Sequence, residues 1–324
     1  MIEARGAVEF LLASDEPAVR LRTLTDVLGR PPGSAELAAI PDGPMVRALL
    51  EGQRPDGGFG VHAYRKWTGA HWRLISLVDL GYPPGDPRVG RAAAHVLDWV
   101  ASPRRTVTTV DGRVRRCASM EGNAVRVCTH LRLIEDPRAG RLAESLADWQ
   151  WPDGGWNCDK RPGVTHSSFH ETLWPAWGLA EYHLATGDRL ALEAAQRAAE
   201  FLLRHHLFRS ERTGQVIDRQ FLKLRYPPYW HYNVLAALRF LSVLGKANDP
   251  RAREALDVIE GKQLPEGSWG AEGRYWRRVG ATGQASEVVD WGRGGNEMIT
   301  LHVLSTLRAA GRVRLFEPAI SVPG

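Results

Sequence analysis

Several features are scarce in this 324-residue sequence, and each scarcity removes a class of protein. Cysteine occurs only as Cys117, Cys128 and Cys158. A small, odd number argues against a disulfide framework and for a reducing compartment. No apolar run reaches the roughly 18 residues that a membrane-spanning helix needs. The N-terminal stretch MIEARGAVEF has neither a basic n-region nor an apolar h-region. A cytoplasmic protein is therefore expected, with peripheral contact to a membrane left open. The net charge of +5 is modest. It comes with no basic helix and no recognised nucleic-acid-binding motif, so no nucleic-acid partner is expected.

What remains is the composition of a globular protein, 44% hydrophobic and 24% charged, with an unusual twelve tryptophans. One stretch is written three times: QRPDGGFG from Gln53, QWPDGGWN from Gln150 and QLPEGSWG from Gln263. Recurrence at this length signals a repeat architecture. Apolar runs that end in a turn signal are found at 17–29, 69–81, 122–134, 171–185, 232–245 and 297–311. Several stop at a glycine, the expected residue just beyond a last helical turn. Runs with a narrower apolar stripe alternate with them at 4–13, 43–53, 88–100, 138–150, 189–204 and 250–263. Several of these begin at Asp-Pro-Arg or Gly-Asp-Arg, where the aspartate can cap the first turn.

Helices apolar on most sides are buried, and those with one apolar stripe lie on a surface. An open solenoid would need polar capping repeats, and none is visible. The expectation is an all-α fold: a closed (α/α)6 toroid of six inner and six outer helices. It would form one domain over 1–324, with repeats of about fifty residues and a tail at 312–324. An open helical array is the alternative.

The Gln-x-Pro-acid-Gly-Gly/Ser-aromatic pattern resembles the QW-type repeat of squalene-hopene cyclases and the repeats of protein prenyltransferase β subunits. With the helix count, the resemblance spans about residues 5–311. It implies a terpenoid cyclase-like or prenyltransferase-like toroid around a largely hydrophobic cavity of the type that superfamily uses for isoprenoid chains. In this reading the glutamine bonds free backbone groups at a helix end, the glycines make a tight turn, and the aromatic packs on the neighbouring repeat. The Asp-x-Asp-Asp acid motif of the cyclases is missing, and so is room for their second helical domain. Prenyltransferase β subunits hold zinc with Asp, Cys and His. Here His231 falls where that family has its histidine, His166 stands at the cysteine position, and no aspartate sits two residues before it.

Candidate chemistry lies where the inner helices begin. Helix N-termini favour anions, and the first-turn positions hold Asp15 or Glu16, Trp67, Glu121, His170 with Glu171, His231 with Tyr232, and Glu297. Glu121, Glu171 and Glu297 are the candidate acids or bases, with helix capping as the plainer role of each. Cys117, Cys158, His166, His170 and His231 offer thiolate and imidazole donors of the kind zinc takes, and Glu121, Glu171 or an aspartate could replace one of them. Their spacing is no compact signature, and an unligated polar rim is the alternative. Cys128, inside a helix, reads as core. The loops leading into the inner helices carry a cationic excess greater than that of the whole chain. The 101–120 loop alone has Arg104, Arg105, Arg113, Arg115 and Arg116 against Asp111. Arginine suits a phosphate or carboxylate head. Arg73 and Arg126 stand one turn inside successive inner helices, and Trp67, Trp72, Trp174, Trp230 and Tyr232 cluster at the same mouth as substrate-binding candidates.

The expected function is an enzyme on an apolar, isoprenoid-like small molecule with an anionic head, the missing acid motif arguing against squalene-type cyclisation. Two competitors stand beside it. One is a lipid- or partner-binding toroid whose mouth acids all pair with arginine. The other is a zinc-dependent enzyme on a polar substrate.

Overall fold

The computed structural model describes residues 2–277, 280, 286–292 and 296–314. Most of the expected tail at 312–324, and parts of the loop at 264–297, lie outside these residues. Thirteen helices and four short strands are named here in chain order. β1 (Ile2–Glu3), α1 (Arg5–Leu12), α2 (Pro17–Arg22, continuing as a wider π turn over Thr23–Val27), α3 (Ser34–Ala39) and α4 (Pro44–Leu50) open the chain. Next come α5 (Ala70–Asp79), α6 (Pro87–Val100), β2 (Thr108–Val110), β3 (Arg113–Arg115), α7 (Ala118–His130) and α8 (Pro137–Asp148). The last are α9 (Phe169–Thr186), α10 (Arg189–Arg204), α11 (Val234–Val243), α12 (Arg253–Glu260), α13 (Glu297–Ala309) and β4 (Val313–Arg314).

The inner ring is α2, α5, α7, α9, α11 and α13. Every residue of α5 is buried, as are Val234 to Leu241 of α11. The outer helices bury one stripe. In α10 that stripe includes Ala191, Ala194, Ala195, Ala198 and Ala199, small residues that bring it close to the ring. Aspartates start the outer helices as their sequence suggests. Asp86, Asp136 and Asp188 accept from the backbone N–H of Arg88, Arg138 and Ala191 at 2.7, 2.9 and 2.9 Å.

Around the ring, α5 packs on α7, α7 on α9, α9 on α11, α11 on α13, and α13 on α2. The guanidinium of Arg22 on α2 bonds the carbonyl of Asp79 at the end of α5, completing the circle. The two ends of the chain meet as well: the outer helix α1 packs on the inner helix α13, and β1 pairs in parallel with β4, Ile2 beside Val313. The fold is an all-α closed toroid.

The three repeated stretches sit at the seams between units. Gln53 Nε2 donates to the carbonyls of Gly57 and of Arg88, at 3.2 and 2.8 Å, so it ties its own turn to α6. Gln150 does the same toward Gly154 and Ala194 of α10, both at 2.8 Å. Gln263 bonds Gly267 at 2.9 Å, and this third turn abuts α1, where a Cβ on Gly6 would lie 2.9 Å from the Glu266 carbonyl. The indoles of Trp156 and Trp269 are buried and donate to the carbonyls of Leu146 and Ile259, at 2.9 and 2.7 Å. A buried indole N–H left without an acceptor would cost about 1–3 kcal/mol.

The α7–α9 contact is the closest in the ring. A Cβ on Gly122 would come within 2.4 Å of the Pro175 backbone, and one on Gly178 within 2.3 Å of the Gly122 carbonyl. Only glycine lets the two backbones meet this way. Two features are absent from the sequence reading. One is α3, none of whose residues is buried. The other is the β2–β3 hairpin, inserted before α7 and paired Thr108 to Arg115.

Candidate functional site

All inner helices start at one end of the ring. Glu171 in the first turn of α9 accepts from the Ser119 N–H in the first turn of α7, at 3.0 Å. Likewise Tyr232 N–H, just ahead of α11, donates to His170 Nδ1 of α9 at 2.8 Å. Cys117 is the residue on which α7 begins. Cys158 lies in the loop after the second repeated stretch. β3 holds that loop against Cys117: Arg115 bridges Asn157 in parallel, and Arg116 N–H donates to the Asn157 carbonyl at 3.2 Å. Asn157 in turn bonds the His166 carbonyl at 2.9 Å.

The outcome is a cluster of three donors. Ligand atoms of Cys117, Cys158 and Glu171 all lie within 4.8 Å of one another. Cys158 Sγ is 3.7 Å from Glu171 Oε1. Burial, helped by the charge of Glu121, pushes the Glu171 carboxyl up to about 7 against the pull of the Ser119 N–H. A hydrogen bond between the thiols lowers Cys117 and, with burial added, raises Cys158, so Cys117 ionises first. Beside the cluster, Glu121 is 0% exposed. Its Oε1 takes Arg116 at 2.7 Å and Arg105 at 3.2 Å, while Oε2 has no partner.

Other polar groups here were not singled out from sequence. Asn123, one step along α7, is buried with both amide atoms unpartnered. The buried His71 leaves Nε2 unpartnered, and burial with nearby Arg105 pushes its pKa down to about 3. Tyr64, near both thiols, is pushed up to about 12 by burial and by the charges of Cys117 and Glu171. Nothing in a lone His71 or Asn123 on an apolar helix marks it; only unpartnered burial does.

The aromatic candidates form a wall at this end. Trp67 stacks on Tyr229 at 3.6 Å, and Trp72 stands edge-on to Trp67 at 4.9 Å. Trp174 stacks along Trp177 at 5.9 Å, with its own indole N–H unpartnered. His231 is sandwiched between Trp230 at 3.9 Å and Tyr275 at 3.4 Å. Lys66 approaches the faces of Trp67 and Trp230, at 5.4 Å from each. Tyr229 bonds the buried Glu287, whose pKa burial raises.

The three histidines stand apart from the cysteines. His166 is exposed, His170 sits among Phe221, Trp230 and His231, and His231 bonds the Pro228 carbonyl at 3.1 Å. Among the described residues, none of them joins the 4.8 Å group of the two thiols and Glu171. Glu297 begins α13 elsewhere on the rim. It shares a cavity of about 350 Å³ with Asp15, Glu16 and Asp290, and burial raises its pKa. Tyr232 is buried and its hydroxyl donates to the Leu207 carbonyl at 2.5 Å. Arg73 turns outward: it donates to the carbonyls of Thr68, Leu49 and Glu51 at 2.8, 3.0 and 3.0 Å, fastening the end of α4. Arg126 points to the opposite end of the ring, where it meets Asp79 and Glu181.

No family model matches the chain, and no curated protein matches it. Solved structures do. The type II terpene cyclase MstE from Scytonema matches at 17% identity over 95% of this chain and 97% of its own, with a TM-score of 0.46. A protein from Actinoplanes matches at 16% identity over 95% and 98%, with a TM-score of 0.47. The polysaccharide lyase BACCELL_00875 matches at 14% identity over 94% and 89%, with a TM-score of 0.47. These are likenesses of architecture. Proteins described with such different chemistries assign none to this chain. Among the described residues, no helix is long and apolar enough to cross a membrane.

Proposed function

We propose that this chain is an enzyme acting on an apolar, isoprenoid-like small molecule, with its chemistry at Cys117, Cys158 and Glu171. The observation that carries this reading is the three-donor cluster, set where α7 and α9 begin and completed by the loop that carries Cys158, beside an aromatic wall. Trp67, Trp72, Trp174 and Tyr229 offer the apolar surface that such a molecule would lie on. Its anionic head would meet Arg105, whose buried Nε has no partner, and Lys66. A toroid that only binds would have its mouth acids paired with arginine. Glu121 is so paired, but the recorded partners of Glu171 are Ser119, through its N–H and its side chain, and the Cys158 thiol, with no arginine among them.

The donor set also fits a zinc ion. Two thiolates and a carboxylate are ligands of the right kind, and three protein ligands leave a fourth position open. Burial raises the Glu171 carboxyl to about 7, and the hydrogen bond with Cys117, with burial added, raises the Cys158 thiol, so a cation bound among them would favour their ionised forms. A bound zinc would supply a Lewis acid and ease ionisation of whatever fills its open position. The chain's own groups do the rest. Ser119 N–H fixes one Glu171 oxygen and leaves the other toward the thiols. Arg105 and Arg116 hold Glu121 with Oε2 free to accept a proton or a donor from the substrate. The aromatic wall excludes water.

Elemental analysis of the purified chain tests the site, run beside turnover of prenyl diphosphates. Wild type should carry one zinc per chain, and Cys117→Ser/Cys158→Ser should lose it by roughly tenfold or more, together with activity. Metal-free protein whose turnover survives chelation and the double substitution would overturn the zinc assignment. A folded, zinc-loaded protein that neither binds nor converts any prenyl diphosphate would overturn the isoprenoid one.

A further inference from the structure

The opposite end of the ring, where the inner helices finish, holds a second arrangement that the chemistry above does not use. Asp79 of α5, Arg126 of α7 and Arg239 of α11 meet there with side chains only 5%, 6% and 9% exposed. The two arginines, with Trp177 and Glu181, line a cavity of about 460 Å³, and Asp79 pairs with both of them. That volume lies within the range of small-molecule sites, roughly 300–1,000 Å³.

The pairing among these charges is uneven. Asp79 Oδ1 accepts from Arg126 at 3.0 Å and from Arg239 at 3.3 Å. Arg126 has a second carboxylate, Glu181, at 3.1 Å from its Nε. Arg239 does not. A guanidinium has five N–H donors, yet the single hydrogen bond of Arg239 goes to an oxygen already shared. Both guanidiniums lie over the face of Trp177, with centres 4.3 and 4.8 Å from the ring. That contact holds both cations beside Trp177, and all three residues line the cavity. Arg22, at the rim, is spent on Asp26 at 2.7 Å and on the Asp79 carbonyl.

Holding two guanidiniums in a nearly dry setting costs several kcal/mol per ion unless their donors are met. Asp79 meets part of that need. The unmet donors of Arg239, with Nη1 of Arg126, are of the kind that grip a planar or tetrahedral oxyanion. Leu21, Val78 and Val243 supply apolar wall around it. We infer that this cavity is a binding site for a small organic oxyanion, a carboxylate or phosphate carrying a short apolar body, gripped by Arg239 and Arg126. The assignment is independent of the chemistry at the other mouth.

Calorimetric titration of the full chain with hexyl phosphate, hexanoate and hexanol tests it. At least one anion should bind with Kd below about 1 mM, and hexanol more weakly by roughly tenfold. Preference between the two anions tells phosphate from carboxylate. Arg239→Met should weaken anion binding by roughly tenfold or more, with Arg239→Lys between it and wild type. Should Arg239→Met fail to fold, Ser242→Phe narrows the cavity while leaving the ion network in place, and it should abolish binding. Cys117→Ser/Cys158→Ser should bind as wild type does. Three results would overturn the inference: hexanol binding as tightly as the anions, anion binding unchanged in both cavity variants, or no binding to the folded wild type.

Discussion

Gly122 and Gly178 do at residue scale what no motif in the sequence announces. They let the backbones of α7 and α9 touch, and this sets Cys117 and Glu121 at the distance where Glu171 reaches Ser119 N–H. Gly122→Ala would drive a Cβ to 2.4 Å from Pro175, a backbone atom that cannot swing aside. It should lower unfolding free energy by about 1–3 kcal/mol. Gly90, half-buried in α6, is the contrast, since a Cβ there meets nothing within 4 Å. Gly90→Ala should raise stability by about 0.4–1 kcal/mol, because a helix-interior glycine costs mainly chain entropy. Urea denaturation of the two variants beside wild type checks both signs. Equal effects would mean that the α7–α9 approach is loose.

At the scale of elements, the repeated stretch works as a coupling between successive outer helices. Gln150 bonds its own turn and Ala194 of α10 with one amide. The aspartate caps act within single helices, so Asp136→Ala should cost about 1 kcal/mol and loosen only the start of α8. Gln150→Ala removes two bonds spanning two units and should cost about 1–3 kcal/mol. Hydrogen exchange separates them: protection should fall on both α8 and α10 for Gln150→Ala, and on α8 alone for Asp136→Ala. Loss confined to α8 in both variants would remove the coupling role of the glutamine.

The whole molecule is a closed ring that buries His71 and His302 on its inner helices and half-buries His231 just ahead of α11. Burial lowers the pKa of His71 and of His231 to about 3, and drives His302 down as well. In the unfolded chain these groups titrate at the ordinary value of 6.5. The folded values are depressed, so below 6.5 the unfolded state binds protons that the folded state refuses. Stability from this source is whole above 6.5 and is lost as pH falls toward 3. The urea midpoint should therefore drop between pH 7.5 and pH 5. His231→Phe, which keeps the stack on Tyr275, should drop less over the same interval. An identical slope in that variant would show that His231 binds protons equally in the folded and unfolded states.

The periodicity of apolar residues, the glycine stops and the aspartate caps located all twelve helices of the ring within a few residues. Those signals are local, arising within one or two turns of chain. The repeated glutamine stretch also pointed to the seams, because its bonds reach only its own turn and the next outer helix. Partnerships across the ring were not legible. Cys117 and Cys158 stand out in sequence, but their third neighbour is Glu171 and not a histidine, since a hairpin insertion and the bridge to Asn157 deliver the loop to α9. Arginines that read as a cationic rim are partly spent inside, since Arg105 and Arg116 turn onto Glu121, and Arg73, read as standing one turn inside its helix, turns onto the end of α4. Arg126 meets Asp79 and Glu181 at the far end, beside an Arg239 that no pattern had marked. Local sequence determined which residues form helices and which face of each is apolar. Tertiary closure decided which charges were left paired and which were left waiting, because pairing depends on distances that only the assembled ring sets.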